Sequence, residues 1–123
     1  MQKVLVVDDS IFQRKNICSV LVAAGYEIIE AENGRVGLEK VVSSSPNLIM
    51  TDLLMPEMDG IQFLSALREN KNTIPVFVLT SDIQDNKREQ CLDLGAAGFL
   101  SKPLRKAELF DAFSKVPSVQ KGA

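Results

Sequence analysis

Histidine is absent from this chain of 123 residues. Its absence excludes Ser-His-Asp and Cys-His catalysis, zinc sites built on histidine, and any role as a carrier of phosphohistidine. Chemistry near neutral pH must therefore depend on carboxylates, lysine, hydroxyl groups or a bound metal.

Long hydrophobic runs, clustered basic residues and paired cysteines are also missing. No apolar run approaches the ~20 residues of a membrane span, and the run after Lys3 is too short for a signal peptide. Cys18 and Cys91 lie in helical-looking segments, where we assign them to packing. The net charge is −2 and the basic residues are scattered, so we expect no direct nucleic-acid contact. These features predict a soluble protein of the reducing cytoplasm, away from membranes.

Short apolar runs alternate with helical patterns along the chain. Predicted strands cover 3–7, 27–31, 48–52, 76–80 and 98–101, and predicted helices cover 10–24, 34–43, 61–69, 85–94 and 106–116. Near-continuous apolar strands are typical of a parallel sheet with helices on both faces. The length fits one domain, which we place at residues 1–117, with a short tail at 118–123.

Two adjacent carboxylates, Asp8 and Asp9, end the first apolar run. The dipole of the following helix alone would favour carboxylates there. However, Ser10 with Gln13 three residues later has the spacing of a capping box, so the helix already has its cap. Metal binding is the second interpretation, and it depends on what else lies at the same edge of the sheet.

Right-handed crossovers bring the carboxyl ends of parallel strands to one edge, where open α/β sheets bind ligands. The residues predicted at this edge are Asp8, Asp9, Asp52, Thr80, Ser81, Lys102 and Pro103. Clustered carboxylates repel one another unless a cation joins them, and Mg²⁺ prefers oxygen ligands. Mg²⁺, Lys102 and Thr80 could hold the oxygens of a phosphoryl group, and a carboxylate left free by the metal could act as nucleophile.

Four segments carry a resemblance to a known family: VLVVDDS, LIMTDLLMPEMDG, VFVLTS and GFLSKPL. In this order and spacing they resemble the response-regulator receiver domains of two-component signalling, and the single-domain, CheY-like chemotaxis type has the most similar pattern. The resemblance covers residues 3–116. It implies a flavodoxin-like (βα)5 fold, with a five-stranded parallel sheet covered by helices on both faces.

The resemblance also implies a phosphoacceptor. Asp52 would accept a phosphoryl group from the phosphohistidine of a partner histidine kinase or histidine phosphotransfer protein. The expected ligands of Mg²⁺ are Asp8, Asp9, Asp52 and the backbone carbonyl of Leu54. The protein would be a switch rather than a classical enzyme, because it would catalyse only its own phosphorylation and the hydrolysis of its acyl phosphate.

The resemblance implies how such a switch would respond. Lys102 would pair with the phosphoryl group, Thr80 would move to hydrogen-bond it, and the bond between Lys102 and Pro103 would be cis. Phe99 is interpreted either as a core residue or as a steric switch, because its ring carries no hydroxyl. The face formed by the fourth helix, the fifth strand and the fifth helix would bind an unknown protein target.

Several alternatives accompany this interpretation. Leu54 and Asp82 would lie beside the phosphoryl group, where Leu54 could shield it from water and Asp82 could repel its oxygens or orient a water. We favour a stand-alone receiver, and the alternative is a receiver excised from a longer DNA-binding response regulator or hybrid kinase. An aspartate-nucleophile phosphatase is disfavoured because Leu54 stands where its second aspartate is expected. A flavin carrier is disfavoured because Asp8 and Asp9 would repel the flavin phosphate.

Overall fold

The computed structural model describes residues 2–81 and 85–115. The strands are β1 (Lys3–Val7), β2 (Glu27–Ala31), β3 (Leu48–Asp52), β4 (Val76–Thr80) and β5 (Gly98–Ser101). The helices are α1 (Ile11–Ala23), α2 (Gly34–Ser44), α3 (Gly60–Glu69), α4 (Asp85–Asp93) and α5 (Lys106–Ser114). The predicted alternation is confirmed, and the described helix ends differ from prediction by about one residue. The predicted helix end at 116, the domain boundary at 117 and the tail lie outside the described residues.

The five strands form one parallel sheet in the order β2-β1-β3-β4-β5. This is the flavodoxin-like arrangement that was predicted. The strand order reverses at β1, which has β2 on one side and β3 on the other. The carboxyl ends of β1 and β3 therefore lie side by side at the point where sheets of this class bind ligands.

Helices cover both faces of the sheet because alternate residues of each central strand point to opposite sides. The first core joins β1 to α1 and α5 and includes Val4, Val6, Ile17, Leu21, Leu109 and Phe113. The second core joins β1 to α3 and α4 and includes Leu5, Val7, Phe63, Leu64 and Cys91. Each fully buried side chain of this size contributes roughly 1.5–3 kcal/mol, so the two cores hold the strand ends in place.

Both cysteines pack in the cores, as predicted. Cys18 belongs to the first core and Cys91 to the second, so the sheet separates them and both are free thiols. Burial raises the pKa of Cys18 to about 11. The described helices include none with the length and hydrophobicity that a membrane span requires.

The predicted capping box at α1 is only half formed. The Ser10 hydroxyl accepts a hydrogen bond from the backbone N–H of Gln13 over 3.3 Å, as expected of an N-cap. The Gln13 side chain does not complete the box, because its amide oxygen accepts a hydrogen bond from the Lys102 ammonium group. A charged donor forms a stronger hydrogen bond than a backbone amide, which accounts for the difference.

Gly60 allows α3 to begin directly against the end of β3. A β-carbon at this position would lie 2.7 Å from the backbone oxygen of Asp52 and 2.9 Å from the α-carbon of Leu53. The Gly60 N–H donates to the Leu53 carbonyl over 2.8 Å, which keeps the two segments in contact. The position of Asp52 therefore depends on a glycine at the start of α3.

Candidate functional site

Three carboxylates meet at the carboxyl edge of the sheet. Asp8 directly follows β1, and Asp52 is the last residue of β3, the neighbouring strand. Asp8 and Asp52 are 0% and 8% exposed, and Asp9 is open to solvent. One oxygen from each carboxylate lies within 4.8 Å of the other two. The predicted cluster is therefore present, with two buried members and one exposed member.

Asp8 is held on three sides. Its backbone N–H donates to the Ala31 carbonyl over 3.1 Å. One carboxylate oxygen accepts from the Ser10 N–H at 2.9 Å, and the other lies 3.0 Å from the Lys102 ammonium nitrogen. The carboxylate of Asp8 therefore connects the start of α1, where Ser10 is the N-cap, to Lys102 at the edge of the sheet.

Lys102 brings positive charge to this cluster. Its Nζ lies 3.0 Å from Asp8 Oδ2 and 3.3 Å from Asp52 Oδ1, and it also donates to Gln13. The Lys102 side chain is 10% exposed, so these ion pairs are only weakly screened by water. One ammonium group thus bridges two buried carboxylates from different strands.

Among the described residues, the site carries more negative than positive charge. Three carboxylates face the single ammonium group of Lys102, which leaves two negative charges without a counter-charge from it. Burial raises the pKa of Asp52, and the charge of Asp8 adds to that effect, whereas Lys102 lowers it. A hard divalent cation with oxygen ligands matches both the charge and the donor set of this cluster.

The loop after β5 carries Lys102 to the site. The Lys102 N–H donates to the Thr80 carbonyl over 2.8 Å, which ties this loop to the end of β4. The bond between Lys102 and Pro103 is cis, as predicted. Thr80 is buried opposite Ser101 in the strand register, so it lies at the same edge of the sheet as the carboxylates.

The remaining predicted residues lie around this centre. The side chain of Leu54 is 60% exposed beyond β3, and the role of its carbonyl remains a prediction. Phe99 is partly buried against the second core and lines a groove of about 620 Å³ between α4, β5 and α5. Both interpretations of Phe99 therefore stay open. Asp82 lies outside the described residues.

Sequence reasoning missed Arg14 and its partner Glu30. Arg14 Nη1 donates to the backbone carbonyl of Asp8 over 2.6 Å, and its Nε donates to Glu30 Oε1 over 2.9 Å. The sequence does contain a sign of this contact, because helical spacing places Arg14 on the buried face of α1 with Ile17 and Leu21. A charged residue at helical spacing from core residues is unusual unless it has a buried partner.

Comparison with known proteins agrees with this geometry. The family model described as "Response regulator receiver domain" matches residues 4–114. The chemotaxis protein CheY of Bacillus subtilis is 33% identical, with the match covering 92% of this chain and 95% of that protein. The solved structure of Vibrio cholerae CheY4 superposes with a TM-score of 0.86 at 35% identity, covering 94% of this chain and 98% of that one.

Some relatives are much longer than this chain. The protein-glutamate methylesterase/protein-glutamine glutaminase of Archaeoglobus fulgidus is 40% identical over 82% of this chain, and the match covers 30% of that protein. A protein with the same description from Treponema denticola is 41% identical, and the match covers 28% of its length. The chain therefore spans less than a third of these relatives.

Proposed function

The chain belongs to the response regulator receiver domain family, and on that premise we propose that Asp52 accepts a phosphoryl group from the phosphohistidine of a partner protein. The observation that carries the proposal is the cluster of Asp8, Asp9 and Asp52, whose carboxylate oxygens lie within 4.8 Å of one another beside Lys102. Because the chain has no histidine, the phosphohistidine must come from another molecule. A histidine kinase or a histidine phosphotransfer protein has the required chemistry.

The donor set fits Mg²⁺. Asp8, Asp9 and Asp52, together with the backbone carbonyl of Leu54, would hold the ion. When bound there, Mg²⁺ supplies positive charge that offsets the crowded carboxylates and the incoming phosphoryl oxygens. Asp9 is the exposed carboxylate of the three, so the cluster is open to solvent on its side.

In this proposal Asp52 acts as the nucleophile. Its Oδ1 is paired with Lys102, and one of its carboxylate oxygens would attack the phosphorus atom. A phosphorus–oxygen bond to Asp52 forms while the phosphorus–nitrogen bond of the donor breaks, and the electron pair returns to the imidazole. Lys102 opposes the increase in the pKa of Asp52 that burial causes, so it favours the charged, reactive form.

The product would change the charge of this edge of the sheet. A phosphoryl group adds about −1.5 to −2 charges and three acceptor oxygens. Lys102 would pair with these oxygens and Thr80 would donate its hydroxyl to them. A nearly complete shift between two states needs ~5.5 kcal/mol of differential stabilisation, which a few charge-assisted hydrogen bonds can supply.

The output surface in this proposal is the groove between α4, β5 and α5. Its lining includes Leu92, Phe99, Arg88 and Glu108, so it offers apolar contacts and charges of both signs to a protein target. Phe99 joins this groove to the second core, and its neighbour Leu100 pairs with Leu79, the residue before Thr80. Movement of Thr80 could therefore reach the groove through adjacent strands.

Phosphorylation with a small donor tests the proposal. Wild-type protein, Asp52→Asn and Asp59→Asn would be incubated with acetyl phosphate in Mg²⁺ or in EDTA, and intact mass would be measured. Asp59 is the matched control, because it caps α3 and asparagine caps a helix equally well. We expect one added phosphoryl group in wild type and Asp59→Asn with Mg²⁺, and none in Asp52→Asn or in EDTA. Equal labelling of Asp52→Asn would refute the proposal.

Whether the receiver works alone is a separate proposal. The match to nearly the whole length of B. subtilis CheY favours a stand-alone receiver. In this proposal residues 1–117 form the domain and the protein lies in the cytoplasm. The match to less than a third of the methylesterases favours a receiver joined to a further domain. Immunoblotting of the native protein from its own cells distinguishes them. A band near 13.5 kDa supports the first, and a much larger band supports the second.

A further inference from the structure

We propose that Arg14 is a positioning residue that sets the affinity of the carboxylate cluster for Mg²⁺, and that Glu30 fixes Arg14 in place. The inference rests on the proposed metal site and adds to it a residue that touches none of the reacting groups. Arg14 acts on the backbone that connects Asp8 to Asp9, the segment from which two of the three carboxylates extend.

The contact lies on the peptide unit between the two aspartates. Arg14 Nη1 is 2.6 Å from the carbonyl oxygen of Asp8, and this carbonyl belongs to the same planar unit as the N–H of Asp9. Because Arg14 holds this oxygen, the peptide plane between Asp8 and Asp9 is fixed, and with it the direction in which the Asp9 side chain extends. The side chain of Asp8 is already held by Ser10 and Lys102, so Asp9 is the carboxylate whose direction depends most on this contact.

Glu30 provides the other end of the arrangement. Arg14 Nε lies 2.9 Å from Glu30 Oε1 near the end of β2, and Lys15 Nζ lies 2.9 Å from Glu30 Oε2. The guanidinium group thus connects β2 to the loop after β1, because Nε donates to Glu30 and Nη1 donates to the carbonyl of Asp8. Its planar, rigid geometry suits this task, which a single ammonium group would perform less well.

Core packing does not explain Arg14. The residue is 9% exposed on the same stripe as Ile17, Cys18 and Leu21, where an apolar side chain would pack without the cost of burying a charge. Replacing a buried ion pair with apolar residues is often neutral or stabilising. A function in positioning gives a reason for a buried arginine at this point.

The direction in which Mg²⁺ affinity changes when Arg14 is substituted distinguishes a positioning role from a purely electrostatic role. Removing a positive charge beside the cluster would strengthen cation binding if charge alone mattered. Removing the hydrogen bond to the Asp8 carbonyl would weaken it, because groups that orient metal ligands typically change affinity by about 10- to 100-fold. We therefore expect Arg14→Met to bind Mg²⁺ about 10-fold more weakly than wild type.

The experiment measures the dissociation constant for Mg²⁺ alone by calorimetry, and that for Mn²⁺ by the electron paramagnetic resonance signal of the free ion. Arg68→Met is the matched control, because Arg68 also donates to a backbone carbonyl, that of Asp93, over 2.8 Å. It lies in the last turn of α3, at the opposite edge of the sheet. We expect its affinity to stay within about twofold of wild type, and an unchanged or tighter affinity in folded Arg14→Met overturns the inference.

Two further variants keep the test decisive if Arg14→Met does not fold. Glu30→Ala removes the acceptor that holds Arg14 to β2 and should weaken Mg²⁺ binding several-fold, whereas Arg14→Lys should recover only part of the wild-type affinity. Wild-type affinity in both variants would overturn the inference. In the acetyl phosphate reaction, we expect the Mg²⁺ concentration for half-maximal labelling to rise and the rate at saturating Mg²⁺ to stay close to wild type.

The outcomes also separate this inference from the proposed function. If wild-type protein binds neither Mg²⁺ nor Mn²⁺, the proposed metal site is wrong. If wild type binds both ions and folded Arg14→Met binds them equally well, the metal site stands and the positioning role of Arg14 is wrong.

Discussion

Asp52→Asn should stabilise the fold when divalent cations are absent. Asp52 is 8% exposed and lies within 4.8 Å of two other carboxylates. Its raised pKa, caused first by burial, means that the folded protein disfavours the ionised side chain. Since the side chain is ionised in the unfolded chain near pH 7, replacing it with a neutral amide should favour folding.

The magnitude follows from distances at the site. With an effective dielectric constant of about 20, the charges of Asp52 and the buried Asp8, whose oxygens lie within 4.8 Å of each other, repel by about 3.5 kcal/mol or more. The attraction to Lys102 at 3.3 Å recovers about 5 kcal/mol. Lys102 therefore offsets the repulsion from Asp8, and the remaining cost is the burial of the charged carboxylate, which is the main cause of the raised pKa of Asp52. Because taking an ion out of water costs several kcal/mol, we expect asparagine to stabilise the fold by roughly 1–3 kcal/mol.

Urea unfolding followed by circular dichroism measures this gain. With a slope of about 1–3 kcal/mol per molar urea, the midpoint of Asp52→Asn should rise by roughly 1 M in EDTA. In millimolar Mg²⁺ the advantage should shrink, because the ion binds the folded wild type more tightly than the variant. Asp59→Asn serves as the surface control. An Asp52→Asn protein that is less stable than wild type in EDTA would refute the account of crowded carboxylates.

Three further predictions follow from the described contacts. Gly60→Ala should lower the free energy of unfolding by about 1–3 kcal/mol and slow labelling of Asp52, because the added β-carbon would lie 2.7 Å from the backbone oxygen of Asp52. Urea titration measures the change in stability, and mass spectrometry measures the rate of labelling. Cys18, whose pKa is raised to about 11, should react slowly with iodoacetamide in the folded protein and rapidly in urea. The hydrogen bond from Lys15 lowers the pKa of Glu30, so ionised Glu30 should stabilise the fold. In EDTA and above pH 4.5, we expect wild type to be more stable than Glu30→Gln by under about 1 kcal/mol. This difference should disappear as the pH falls through the pKa of Glu30 in the folded protein.

Each of these predictions has an outcome that contradicts it. A Gly60→Ala protein with wild-type stability and labelling would show that α3 can move away from β3 without cost. Alkylation of Cys18 at the rate of an unfolded thiol would contradict its burial. A difference between wild type and Glu30→Gln that grows as the pH falls below 4.5 would have the wrong sign for a group with a lowered pKa.

The fold could be predicted from sequence because its signals are local and agree with one another. Apolar runs such as VFVL in β4 are buried on both faces, which requires a parallel sheet with helices on each side. Once the strands are parallel, handedness brings every carboxyl end to one edge. Asp8, Asp52 and Lys102 therefore met as predicted, although they are far apart in the chain.

The contacts that orient the site could not be predicted in the same way. Periodicity places Arg14 on the buried side of α1 but does not fix where its guanidinium group points, which depends on the rotation of the helix over β1 and β2. The contact between Gln13 and Lys102 depends on the path of the loop after β5 in the same way. Both contacts arise from three-dimensional packing between segments that sequence spacing does not connect.

Chemical mapping of the phosphorylated residue tests the central claim most directly. An aspartyl phosphate is reduced by borohydride to homoserine, so protein labelled with acetyl phosphate and Mg²⁺ would be reduced, digested and sequenced by mass spectrometry. We predict homoserine at position 52 and at no other aspartate. Homoserine at Asp8, Asp9 or Asp59, or its absence from the labelled protein, would contradict the account.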